Sequence, residues 1–548
     1  MLPCAAAEPA PQQCQALLDE RDIAFDFSLQ DFPLQPAAIA DDARVGAITI
    51  RSFPIFDPDD PKEDYRLFRA ANRFHINTRE STVRQQLLIE PGDTYKPRLL
   101  AESARLLRNQ GYLYDAKVFP YRICDGRVDI MVVTRDVWTL TPGIAFSRSG
   151  GSNTNTFVLR ENNLLGYGKS IFLQRKESVD RNGWEFGYSD GNLFGSRLTL
   201  DLEYADNEDG ERRHFAIARP FYALDTRWAM NLNATQDNRV DKLYDRGESL
   251  AQFRIDESRY QLSGGLSAGR QKDRTQRWFV GLDWWQQEFS EDPGGASPTP
   301  FPVARTINTL WFGPQVIEDQ FVTLHNFNQI YRTEDINLGK RWQWRLGWAD
   351  SAWGSDRDRL VYDYRYTNSW LLDDDHLLNY QLALTGFWDE DNNRSEDVLI
   401  RNRWRYNRID THRTATFASL DLDYARNLPA HKQLLLGGEE NLRGYPLRYQ
   451  AGDRRALLTL EKRIYFDRHW LRLFRVGAAA FVDVGRAWFP GAPNSGATGV
   501  LSNVGMGLRI VSSRAETSRV LHIDIAFPLE REDDVDKIQF IVTGKRAF

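Results

Sequence analysis

From about residue 139 onward the chain alternates apolar and polar residues with a period of two, segment after segment. Leu198, Leu200, Leu202 and Tyr204 interleave with Thr199, Asp201 and Glu203, and Trp342, Trp344, Leu346 and Trp348 with Gln343, Arg345 and Gly347. Leu360, Tyr362, Tyr364 and Tyr366, then Leu378, Tyr380, Leu382 and Leu384, then Leu521, Ile523, Ile525 and Phe527 repeat the pattern. A period of two places successive side chains on opposite faces of a strand, so each segment divides two environments. A soluble sandwich also alternates, but here the apolar face is heavily Trp and Tyr. The segments run to about 9–13 residues, the length of a tilted strand that crosses a bilayer. About twenty segments can be counted, and an even number suits a closed antiparallel barrel. Between about 236 and 411 some of them could instead be hairpin extensions outside the membrane. The fold class is therefore a transmembrane antiparallel β-barrel over 138–548.

Upstream the pattern differs. Residues 1–43 are rich in Ala, Pro and Gln and read as a short helix plus linker. Residues 44–137 read as one small α/β module. Val45 to Phe53 is a strand, and 62–76 and 97–110 have helical spacing, the second with Leu99, Leu100, Ala104, Leu106 and Leu107 on one stripe. Pro91-Gly92-Asp93 is a turn, Gly111 ends the second helix, and Val118–Arg122 with Arg127–Thr134 form a hairpin about Asp125-Gly126. Either Val45–Phe53 or Arg127–Thr134 would offer a free strand edge.

Composition narrows the class. Lys plus Arg is 70 and Asp plus Glu 76, a net charge of 70 − 76 = −6, which argues against nucleic acid as a partner. Hydrophobic residues at 42% and aromatics at 12% exclude a disordered chain. No run approaches the ~20 apolar residues of a spanning helix, and mean hydropathy is −0.53. Met1 to Gln15 has neither the charge nor the apolar run of a secretory signal. Cys4, after Leu2-Pro3, fits a lipoprotein box poorly. In an oxidising compartment one pair among Cys4, Cys14 and Cys124 could close, and Cys14–Cys124 would tether the N-terminal segment to the module.

Enzyme signals are weak. Gly265-Leu266-Ser267-Ala268-Gly269 fits a nucleophile-elbow pattern but lies within an alternating strand. Gly166-Tyr167-Gly168-Lys169-Ser170 lacks phosphate-loop spacing, Asp57-Pro58-Asp59-Asp60 has no calcium-loop pattern, and the eight His show no metal spacing. No catalytic residue, metal or cofactor is expected.

The stretch Gly437-Gly438-Glu439-Glu440-Asn441-Leu442-Arg443-Gly444-Tyr445 is the most specific signal in the chain. It resembles the (V/L)RG(F/Y) loop of the outer-membrane assembly and two-partner secretion superfamily, the BamA/TamA-like proteins. In the same order, Phe481-Val482-Asp483-Val484-Gly485 resembles the family's FxDxG strand and Gly505-Met506-Gly507-Leu508-Arg509 its GxGxR strand. Phe548 resembles the terminal aromatic of its sorting signal. Leu88 to Asp93 and Leu106 to Tyr112 are similar to parts of a POTRA domain. The resemblance spans about 44–548. It implies sixteen strands, fewer than the segment count, and one POTRA domain is found where the family's general assembly members carry several.

The resemblance further implies that a loop around 430–452 folds into the lumen, with Arg443 paired to Asp483 and to Glu461. The residues agree, since Asp483 and Glu461 fall on the polar parity of their strands. The first barrel strand, about Leu140 to Ser147, contains Pro142 and Gly143, which weaken pairing. Its closure on the last strand, about Lys537 to Phe548 with Gly544, should then be a weak seam. Pro142 could equally mark only the strand's start. The reading is an outer-membrane protein, its module in the periplasm, that assists ATP-independent insertion or translocation of an unfolded polypeptide client. Lipid and a periplasmic protein at the module are further expected partners. A diffusion pore and a dedicated two-partner secretion transporter stay open, and a soluble enzyme ranks far behind.

Overall fold

The computed structural model describes residues 14–30, 32, 39–40, 42–327, 329–330, 332–411, 413–438, 442–491, 499–515 and 520–545. Cys4, Phe548 and residues 439–441 of the loop motif lie outside that set. The chain divides into two compact units, one built on the residues up to Thr139 and the other on the barrel.

The first unit holds a four-stranded mixed sheet in the order β1 (Cys14–Ala16), β3 (Leu113–Cys124), β4 (Arg127–Asp136), β2 (Arg44–Phe53). β2 runs parallel to β4, and the other pairings are antiparallel. Three helices, α1 (Arg66–Phe74), α2 (Glu80–Arg84) and α3 (Pro97–Arg108), intervene between β2 and β3. Pro97 begins α3 where its missing N–H costs nothing, and Leu100, Ala104 and Leu107 are buried against Val118, Val128, Ile130 and Val132 of the sheet. The opposite sheet face, through Phe119, Tyr121, Met131 and Val133, is covered by Ile23 and Phe27. Both faces of β4 are therefore buried. The segment expected to be a helix and linker thus contributes an edge strand and two 3₁₀ turns, Glu20–Asp22 and Phe27–Leu29. The reason is packing, because its apolar residues have a sheet face to cover. Of the two expected edges, Arg127–Thr134 is not one, since β3 and β2 flank it. Only β2 of that pair is an edge.

The second unit is a closed barrel of twenty strands, each antiparallel to its neighbours. The segment count of twenty holds, and the sixteen implied by the family resemblance does not. Trp184, Phe215, Trp228, Leu262, Trp278, Phe312, Leu346, Leu460 and Phe527 are exposed on the outer wall, although each is large and apolar. A continuous apolar belt of this kind is stable only against hydrocarbon. The elbow-like Gly265–Gly269 lies inside the eighth strand, Glu248–Gln271, as an alternating segment would require. No helix among the described residues is long and apolar enough to cross a membrane.

The wall is uneven. The eighth strand has 24 residues, roughly 60 Å of height at a ~40° tilt. The first, Leu140–Ser149, has 10, roughly 25 Å on the same reckoning. Two hairpins stand apart from the wall. Phe321–His325 with Thr333–Asn337 interrupts the tenth and eleventh strands, and Leu434–Leu436 with Gln450–Gly452 interrupts the fifteenth and sixteenth.

Candidate functional site

The second of these hairpins carries the loop motif inward. Leu442, Tyr445 and Tyr449 are buried with Leu436, Leu457, Ala487 and Leu501, so the loop has its own apolar core against the wall. Tyr445 donates its hydroxyl to the carbonyls of Ser502 (2.9 Å) and Glu530 (2.7 Å). Gly444 donates its N–H to Asn503 Oδ1 at 3.0 Å, and a Cβ there would lie 2.6 Å from the Asn503 Cβ. Glycine is therefore required at 444 by close approach.

Arg443 is the centre of the site. Its Nε and Nη2 donate to the two oxygens of Asp483 at 2.8 and 2.7 Å, a bidentate fork, and its Nη1 donates to Glu461 at 2.7 Å. Its guanidinium carbon sits 3.3 Å from the centre of the Phe481 ring. Asp483 also accepts from Thr459 (3.0 Å) and Asn503 (2.9 Å), which orients the carboxylate. Asp524 Oδ2 approaches Arg443 to 3.7 Å and pairs with Arg509 through Oδ1. Arg463 Nε lies 3.2 Å from Glu461. Three guanidinia thus face three carboxylates in a buried network, where an unmatched charge would be costly.

The motif glycines make room for this network. A Cβ on Gly505 would lie 2.4 Å from the Phe481 ring, and one on Gly507 1.9 Å from Asp524. A Cβ on Gly485 would press on Leu436 of the inward hairpin at 3.1 Å. The residues alone put Arg463 on the lumen parity beside Glu461 but did not bring in Asp524, Thr459 or Asn503 as partners. Each sits at polar parity on an alternating strand, but parity alone does not say which neighbour it meets. Outside the network, Asp534 accepts from Arg246 and from the Tyr449 hydroxyl, and the Arg246 contact foremost holds its carboxyl below the usual range.

These partners lie on the sixteenth to nineteenth strands, which lead to the seam. There the last strand, Gln539–Lys545, and the first share one paired position among the described residues, Val542 with Arg148. Every other neighbouring pair in the wall shares seven or more. Pro142 and Gly143 lie within the first strand, opposite Leu159 and Val158, and Gly544 within the last, opposite Leu521. Cys14 and Cys124 are joined by a disulfide between β1 and β3. No cluster of three or more potential metal ligands occurs among the described residues.

Solved structures similar to this chain include BamA from Haemophilus ducreyi lacking POTRA domains 1–3, at 13% identity over 91% of this chain and 84% of that one, with a TM-score of 0.37. CdiB from Escherichia coli is similar at 13% identity over 94% of each chain (TM-score 0.38), and CdiB from Acinetobacter baumannii at 12% over 92% of this chain and 73% of that one (0.37). Likenesses this distant do not assign an activity. No curated protein matches the chain by sequence. Residues 75–137 match the family model described as "POTRA: Surface antigen variable number repeat", which, with the closed twenty-strand wall, makes the chain a POTRA-plus-β-barrel protein.

Proposed function

We propose that this chain is an outer-membrane protein that inserts or exports polypeptide clients through a barrel whose seam opens sideways. The observation that carries the reading is the seam, where the described residues of the first and last strands share one paired position, Val542 with Arg148. Among the described residues, opening there breaks few backbone hydrogen bonds, and it exposes two strand edges onto which an extended client can add by β-augmentation. The Arg443 network supports this. It ties the inward loop to the sixteenth to nineteenth strands and keeps that side of the seam rigid while the first strand moves. The POTRA unit is read as periplasmic, with β2 as the edge that meets an unfolded client or a partner protein. The work requires no catalytic group or cofactor and is driven by the client's own folding.

The test locks the seam. Arg148→Cys and Val542→Cys together would cross-link the first and last strands at their paired position. The protein is placed in liposomes and given a urea-unfolded eight-stranded barrel as probe, once cross-linking has been shown on a gel. Insertion is expected to stop when the lock is closed and to return with reductant, and wild-type protein given the same reductant controls for Cys14–Cys124. Equal insertion by the locked protein would overturn the lateral seam. Export of a soluble client by the locked form would instead favour the dedicated-transporter reading.

A further inference from the structure

The lumen wall opposite the seam is cationic, although the chain as a whole carries a net charge of −6. On the eleventh to fourteenth strands (Arg341–Ala349, Arg359–Asp373, His376–Asp389 and Arg394–Thr411) the inward positions include Arg341, Arg345, Arg365, Arg401, Arg403 and Arg405. The same strands also turn carboxylates inward, Asp363 within these rows and Asp397, paired with Lys432, beyond them. Arg345 reaches Asp283 at 3.0 Å on the ninth strand, Arg365 reaches Asp363 at 3.0 Å, and Arg403 pairs with Asp421. Arg341, Arg401 and Arg405 face no carboxylate within ion-pair distance among the described residues.

Register places two of these arginines about one site. Arg365 pairs across to Ala383, and Ala383 to Arg401, so a methyl group separates two guanidinia two strands apart. The side chains of Arg365 and Arg401 are exposed to the lumen, and with Arg345 they line a cavity of about 1050 Å³. Nine Lys or Arg line that cavity against five Asp, and residues of the 428–435 loop line it as well, Lys432 among them.

We infer that this recess binds small multivalent oxyanions of the phosphate class, and that the lumen selects anions over cations. The inference stands apart from the insertion reading. Arginine forks match phosphate oxygens bidentately, and two forks about 10 Å apart at their strands can converge on an anion with two charged groups. Rings and walls of Arg are the recurring device of phosphate and anion pores. The cavity is of small-molecule size rather than the length of a polypeptide groove.

The probe is inorganic pyrophosphate, titrated calorimetrically into the full-length protein in non-ionic detergent at low salt. A saturable, salt-weakened site is expected. Arg365→Gln and Arg401→Gln should each weaken it about tenfold, the worth of one charge-assisted hydrogen bond, while Arg365→Lys and Arg401→Lys keep part of the affinity. Arg66→Gln on the POTRA unit should leave binding unchanged, and an unaltered heat-modifiable band on a gel shows that each variant barrel is closed. No saturable heat, or equal binding by the Gln variants, overturns the site. So does binding of an oligoglutamate peptide in place of pyrophosphate, which would make the wall a polypeptide track.

Discussion

Arg443 spends all three faces of its guanidinium at once, on Asp483, on Glu461 and on the Phe481 ring. Removing one partner from such a buried set leaves the other charges uncompensated, so Arg443→Ala should destabilise the barrel by about 3–5 kcal/mol. Asp483→Asn removes the charge but keeps the shape and should fall within the same range or below it. Both are measured as the shift in the temperature at which the heat-modifiable band unfolds in detergent. If neither variant shifts, the inward loop is not anchored by this network. Gly505→Ala acts through the same residues by another route. Its methyl group would meet the Phe481 ring at 2.4 Å and push it into the guanidinium, an overpacking cost of about 1–3 kcal/mol. Activity should fall along with stability, because the loop's position is what the network sets.

At the scale of elements, most of the barrel was legible because lipid forces one strand face to be apolar. Leu198 to Tyr204 or Leu521 to Phe527 can alternate for no other reason once their polar faces are seen to line a lumen. The inward hairpins were harder. Phe327 and Ile330 of the Phe321–Asn337 segment are buried, and Ile330 packs with Ala415, Tyr465, Val511 and Val520, yet nothing local distinguishes a hairpin folded inside from one projecting outside. The Arg443–Asp483 pair became legible through a motif, whereas Asp524 and Asn503 needed register. The loop between the fifteenth strand and the Leu434–Leu436 hairpin carries a consequence of its own burial. His431 lies against the Phe253 and Phe289 rings, and desolvation foremost, then Lys432, Arg305 and Arg239, pushes its pKa down to about 3. Its Nε2 has no hydrogen-bond partner among the described residues. The folded state therefore resists a proton that the unfolded chain takes up near its ordinary value of ~6.5, so stability falls as pH drops below that point and goes on falling to about 3. Between pH 7 and pH 5 the loss should be about 2 kcal/mol. His431→Gln should flatten that slope in pH-dependent unfolding, and an unchanged slope would place the acid sensitivity elsewhere.

For the whole molecule, two units stabilised by different solvents should fail separately. The barrel is held by strand pairing and lipid, while the POTRA unit rests on a small two-faced core closed by Cys14–Cys124 across 110 residues. A crosslink over so long a loop restricts the unfolded chain strongly and is worth about 2–4 kcal/mol. That is a large share of a small domain's ~5–15 kcal/mol. It also pins β1, and with it Ile23 and Phe27, over the second face of the sheet. Reduction, or Cys14→Ser, should therefore lower the first of two calorimetric transitions in the detergent-solubilised chain and leave the second in place. Limited proteolysis should then cut between residues 17 and 30 before anywhere in the barrel. A single transition that moves as one on reduction would mean instead that the POTRA unit and the barrel unfold as one cooperative body.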